Sequence, residues 1–236
     1  MNSSSASHGR QGSRSSRSRT ATGPCPPRAD GQAQYTFDVR WVRLPDAPIA
    51  ARVLHTGSIA AFLEPGASAL RGLLSRSQAD EITFDPNIRP ALLDSREQMV
   101  PRFEEFAALS TVVKMSDEDA AWLYPGREIA AVIDHVLSLG PRVAAITLGA
   151  DGTELATAEA RVRVDGVEVD PVDTIGAGDT FMASLISFVA ERGSDGLDAA
   201  DLERAGAAAT QAAAITVSRA GADLPWGYEL STPSRD

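Results

Sequence analysis

Short apolar runs alternate along this chain with stretches whose apolar residues recur every three or four positions. Residues 34–41 alternate with period two and predict a strand. Residues 53–59 predict a buried strand ending in a small-residue turn, and residues 65–75 a helix. The run from Ile82 to Phe84 predicts a strand that Pro86 breaks. A helix over 99–109, a strand over 111–115, a helix entered through Ser116 and the acidic residues 117–119, a helix over 129–139 and a buried strand over 143–148 follow. A β excursion begins at Glu154, and the alternation over 164–172 predicts a strand ending in a Pro-containing turn. Phe181, Leu185 and Phe188 then share one helix face, and an alanine-rich helix opens at residues 198–201 and passes Ala205, Ala208, Ala209, Ala212 and Ile215. Residues 225–236 read as a trailing surface segment. Repeated strand–helix alternation of this kind predicts an α/β fold with a mainly parallel sheet between two helical layers.

Length and composition narrow this picture. The chain of 236 residues suits one domain with a sizeable core. Its formal charge of −10 argues against a general nucleic-acid binder. The single cysteine, Cys25, allows no intrachain disulfide and no cysteine-type metal cluster. No apolar run reaches membrane-spanning length, so a cytoplasmic protein is expected. Residues 1–30 differ in kind: Ser- and Arg-rich, without an acid before Asp30, without hydrophobic periodicity. They are expected to be a disordered tail, with the globular part spanning 31–236. Their composition resembles a transit peptide without its amphipathic spacing, and no apolar stretch of a secretory signal is present.

Three stretches carry candidate chemistry. In the first, Gly176-Ala177-Gly178 opens the helix of Phe181. A glycine-rich turn at a helix N-terminus leaves free N–H groups at the positive end of the helix dipole, which suits a phosphate. Asp179 follows in the first turn. It reads either as a helix-capping acid or as a general base beside the bound anion. Phe181 stands where a dinucleotide fingerprint needs its third glycine, and no Gly-Lys-Ser/Thr of a P-loop occurs. In the second stretch, Asp85, Asn87 and Arg89 follow a predicted parallel strand at its C-terminal end, where open α/β sheets place ligands. A capped turn is the plainer reading of those residues. In the third, Thr147-x-Gly149-x-x-Gly152 follows a buried strand and reads as an Asp-Gly hairpin turn. His55 reads as a strand-end histidine with no catalytic part.

The string Asp173-Thr174-Ile175-Gly176-Ala177-Gly178-Asp179-Thr180-Phe181 resembles the C-terminal signature of the ribokinase-like (PfkB) carbohydrate kinases. Asp85-Pro86-Asn87-Ile88-Arg89-Pro90 is similar to the string that marks their fructokinase and 2-keto-3-deoxygluconate kinase members. The resemblance implies a three-layer α/β/α fold and ATP-dependent phosphorylation of a sugar hydroxyl. Asp179 would be the base, and Gly176, Ala177 and Gly178 the anion hole. Asp85, Asn87 and Arg89 would lie near the sugar, Thr147, Gly149 and Gly152 on the nucleotide side, and Thr210 near the base. It implies Mg²⁺ as well, with Asp119 in the place of a family glutamate, and K⁺ near Asp173 and residues 219–222. A ribose or nucleoside kinase is a related alternative, and a homodimer is compatible. The resemblance covers about residues 31–225, so the first strand with its sugar-binding acid, the Gly-Gly segment and most of the β lid are expected to be missing. A catalytically silent nucleotide-binding remnant or partner subunit is the alternative from another class.

Overall fold

Four parallel strands lie side by side in chain order: β1 (Val53–Gly57), β2 (Glu81–Asp85), β3 (Val112–Ser116) and β4 (Val143–Thr147). This is a computed structural model; it describes Leu44 and residues 47–230. The strand expected over 34–41 and the tail 1–30 lie outside the described residues. Each parallel pair is joined through helix, as parallel strands require. The connections use α1 (Gly66–Ser75), α2 (Arg96–Ala108), then α3 (Asp117–Leu123) with α4 (Ile129–Ser138). β5 (Thr153–Ala156) and β6 (Arg161–Val164) extend the sheet antiparallel beyond β4. Two long helices follow, α5 (Ala177–Arg192) and α6 (Ala199–Val217), then a single turn, α7 (Gly227–Leu230).

Alternation along the strands divides the core into two faces. Phe84, Val113, Met115, Ala144 and Ile146 join the cluster with α1, α2, α3 and α4. Val112, Val143, Ala145, Leu155 and Val162 join the cluster with α5 and α6. At the centre of the first face the Phe84 ring lies 5.8 Å from that of Phe103 and 5.6 Å from that of Phe106, tilted against each by about a third of a right angle. The expected α/β/α layering is present, with a mostly parallel six-stranded sheet. Alanines at 205, 209 and 212 are buried and let α6 lie close against its neighbours.

One expectation needs correction. The alternating segment 164–172 is not a strand; the strand is 161–164, and the chain is irregular from 165 to 172. Val164 pairs with Thr153, the first residue of β5, so beyond Val164 the sheet offers no partner. Residues 225–230 lie at the surface as expected, tied back to the end of α6. Glu229 of α7 pairs with Arg219, and its Oε2 accepts the Trp226 N–H at 2.7 Å. No helix among the described residues is long and apolar enough to cross a membrane.

Candidate active site

Parallel register brings the C-terminal ends of β1–β4 to one edge of the sheet. Gly57 lies opposite Asp85, and Ser116 opposite Thr147. The first turn of α5 stands over this edge, with a cavity on either side of it.

The turn itself is built by glycine geometry. Gly176 has φ of 84°, a left-handed value that ordinary residues avoid. A Cβ there would lie 3.0 Å from the Ala222 Cβ. Thr180 makes the first helical bond of α5, its N–H reaching Gly176 O at 2.8 Å. The helix ladder therefore gives no partner to the N–H groups of Gly178 and Asp179. The Ala177 N–H turns back to Thr174 O at 3.3 Å, so of the expected donors Ala177 is taken up within the turn, and Asp179, which was not among them, joins Gly178. The turn is held from behind by α6: the Thr180 and Thr216 hydroxyls bond at 2.9 Å, and Val172 and Asp173 donate their N–H groups to Val217 O. Asp173 accepts the N–H groups of Ile175 and Gly221, one on each carboxylate oxygen, both at 3.0 Å. It ties the turn to the segment after α6.

One cavity, of about 490 Å³, is lined by Thr147, Gly149 and Gly152 from the β4–β5 turn, by Ala177, Gly178 and Phe181, and by Thr210 of α6. Its wall includes the irregular segment after β6, from Gly166 to Pro171. The 147–152 turn joins the antiparallel pair β4–β5 and at the same time lines this cavity. Thr210 Oγ1 is buried in that wall without a hydrogen-bond partner. An apolar cavity with one unpaired buried hydroxyl and a helix N-terminus at its end fits a ligand with a flat apolar body, a polar edge and a phosphate.

The second cavity, of about 530 Å³, is lined by His55, Gly57, Asp85, Asn87, Asp179, Met182 and Ile186 among others. Asp179 is exposed to it from the third position of α5. The Asp85 carboxylate is fixed: Oδ1 accepts the Asn87 N–H at 3.2 Å, and Oδ2 accepts Lys114 Nζ at 2.9 Å. Asn87 sits at φ 40°, a left-handed value that asparagine tolerates. Burial pushes the Asp85 carboxyl above its ordinary value, while the Lys114 ammonium pulls it back. His55 Nδ1 lies 2.9 Å from Thr83 Oγ1. Protein around its ring holds its pKa below the ordinary 6.5, with Asp85 and Asp179 acting in the opposite sense.

Of the sequence-predicted residues, Asp85, Asn87 and Asp179 meet in one cavity, and Thr147, Gly149, Gly152, Gly178 and Thr210 in the other. Arg89 does not join them: it is exposed, and its Nη1 donates to Ile88 O at 3.0 Å. Asp119 is buried in a capping box with Ser116, one oxygen accepting the Ser116 N–H at 3.0 Å and the other the Ile88 N–H at 2.8 Å. It thereby joins the Asp85–Asn87 turn to α3. Among the described residues no three acidic, His or Cys side chains could hold a metal ion by themselves. A divalent ion would thus fit only with phosphate oxygens and water completing its shell. Sequence reasoning missed Lys114 and left His55 outside the site. The only signal for Lys114 was a charged residue inside an apolar strand.

Two cavities thus meet at one helix N-terminus, with a carboxylate on one side and N–H donors on the other. Residues 50–227 match the pfkB family of carbohydrate kinases, and the chain belongs to that family. A fructokinase of Rhizobium leguminosarum bv. trifolii is 35% identical over 167 residues, 67% of this chain and 51% of that protein. The aminoimidazole riboside kinase of Salmonella enterica, solved with aminoimidazole riboside and an ATP analogue, superposes with a TM-score of 0.70 at 27% identity, over 79% of this chain and 64% of that one. The fructokinase of Vibrio cholerae O395, solved with fructose, ADP and calcium ion, gives 0.69 at 25% identity, over 80% and 62%. The chain spans about half to two thirds of the length of these proteins.

Proposed function

We propose that this chain transfers the terminal phosphoryl group of ATP to a sugar hydroxyl, with fructose or a 2-keto-3-deoxygluconate-type sugar as acceptor. The observation that carries the reading is the placement of Asp179 in the Asp85 cavity while Gly178, one residue earlier, lines the Thr210 cavity. The adenine ring would lie against α6 with Thr210 at its polar edge, and Thr147, Gly149 and Gly152 beside the nucleotide. The phosphates would end at the first turn of α5.

In the reaction, Asp179 takes the proton of the acceptor hydroxyl as that oxygen bonds to the terminal phosphorus. The bond from that phosphorus to the bridging oxygen breaks, and ADP leaves with the electron pair. The N–H groups at the turn stabilise the charge spread over the phosphoryl oxygens. Asp85 and Asn87 hold the sugar. Mg²⁺, when bound, supplies neutralisation of phosphate charge, and Asp119 would act on it through water. A monovalent cation beside Asp173 and residues 219–222 would further fix the turn. The fructose class is favoured by Asp85 and Asn87 together with the fructokinases among the relatives; ribose and nucleosides belong in the same test.

The test is ATP consumption by the purified chain with Mg²⁺ and K⁺ across fructose, 2-keto-3-deoxygluconate, ribose and adenosine. Asp179→Asn should abolish sugar-dependent turnover and leave nucleotide affinity within about threefold. Turnover surviving that substitution refutes the base assignment. ATP binding without turnover on any acceptor would favour a silent nucleotide-binding chain.

A further inference from the structure

Lys114 has no part in the reading above, and its position calls for one. It is 4% exposed, in a strand whose Val112, Val113 and Met115 all belong to the two cores. Phe84 pairs with Val113, so Asp85 and Lys114 stand next to each other one step along β2 and β3. Nζ lies 2.9 Å from Asp85 Oδ2 and 3.1 Å from the point a Cβ on Gly178 would occupy. The ammonium is thus wedged between the acceptor-side carboxylate and the first turn of α5. The positive end of that helix opposes it, and Asp85 compensates it. The dependence is mutual, because a buried carboxylate keeps its charge only beside such a partner.

We propose that Lys114 is a positioning residue for the acceptor: it holds Asp85 as a fixed hydrogen-bond acceptor at the cavity wall, and residue 178 is glycine partly to leave it room. The proposal rests on reading the Asp85 cavity as the sugar site. The groups facing Asp85 are Lys114 from β3, His55 from β1, Asp119 from α3 and Asp179 across the cavity from α5. Without the ammonium, Asp85 stands among two further carboxylates and His55. It then takes up a proton and turns from acceptor to donor toward the sugar hydroxyls.

The experiment compares the parent chain with Lys114→Met. In protein labelled with ¹³C at the aspartate carboxyls, the Asp85 signal is identified by its loss in Asp85→Asn. Its midpoint should rise by about 1–3 pH units in Lys114→Met. At pH 7 the KM for fructose should rise about tenfold or more and recover as the pH is raised, while the KM for ATP stays within about threefold. Should Lys114→Met not fold, the double variant Lys114→Met/Asp85→Asn leaves no unpaired buried charge. It should fold and show a raised, pH-independent KM for fructose. An unmoved midpoint overturns the proposal. So does a moved midpoint with parental KM for fructose, equal damage to the ATP and fructose parameters without recovery at high pH, or a double variant with parental KM. A parent chain that turns over no sugar refutes the function reading instead, and the Asp85 midpoint then decides whether Lys114 governs it.

Discussion

Thr210→Val should strengthen the empty protein and weaken its hold on nucleotide. Thr210 Oγ1 is buried in the cavity wall with no hydrogen-bond partner. A hydroxyl in that state costs about 1–3 kcal/mol relative to a paired one. Valine replaces it with a methyl of nearly the same shape, and the two residues have similar helix propensities, so the change isolates the hydroxyl. The gain for the ligand-free chain is set at about 1 kcal/mol, which for a domain of this size raises Tm by about 2–4 °C. If the hydroxyl is kept for the base, valine removes one hydrogen bond from the complex. That loss is about 0.5–1.5 kcal/mol, or about a 2- to 12-fold weaker Kd. Scanning calorimetry without ligand and calorimetric titration with ADP give the two numbers on one preparation. Opposite signs are the expectation. A ligand-free Tm that falls, with ADP affinity unchanged, would refute both the orphan-hydroxyl argument and the placement of the base.

Glu81→Ala should cost about 2–4 kcal/mol in a urea melt, because it strips partners from the buried Ser194 N–H at 2.8 Å, the Ser194 hydroxyl at 2.7 Å and the Thr111 hydroxyl; a loss below about 0.5 kcal/mol would show that this contact between β2 and the α5–α6 loop is idle. Gly176→Ala forces alanine to φ 84° with its Cβ against Ala222, so stability should fall by about 1–3 kcal/mol and ADP affinity with it, both read in the calorimeter. His55 has a folded pKa below 6.5, so the unfolded chain binds more protons in the window beneath that value and stability rises with pH there. His55→Gln should remove that slope from urea midpoints measured across the window, and an unchanged slope would assign it to other groups.

The layers were legible from local period and the parallel strand directions from the helices between the strands: runs such as Val143–Thr147 are buried on both faces, and the helices carry apolar stripes. The glycine turn and the Asp85 turn were legible because backbone conformation there restricts residue type. What the sequence hid depends on which segments become neighbours. Lys114 reads as an anomaly until β2 lies beside β3 and α5 lies above both. His55 reads as a strand end until the same helix brings Asp179 and Met182 over it. The alternation of 164–172 misled because period two reports a pleated backbone only where a partner strand exists, and β5 ends first. The segment serves instead as a cavity wall. Arg89 shows the converse: a residue type suited to phosphate, set on a turn that directs its guanidinium to a neighbouring carbonyl.

The turn before α5 is fastened to the last residues of α6, through Thr216, Val217 and Gly221. In time rather than space, this makes the glycine turn wait for the end of α6. A growing chain can dock β1–β4 with their helices while the glycine turn still has nothing to rest on. The same fastening sets the weakest way to lose function. Fraying of the final turn of α6, a local event far cheaper than unfolding the sheet, would free the glycine turn while leaving both cores packed.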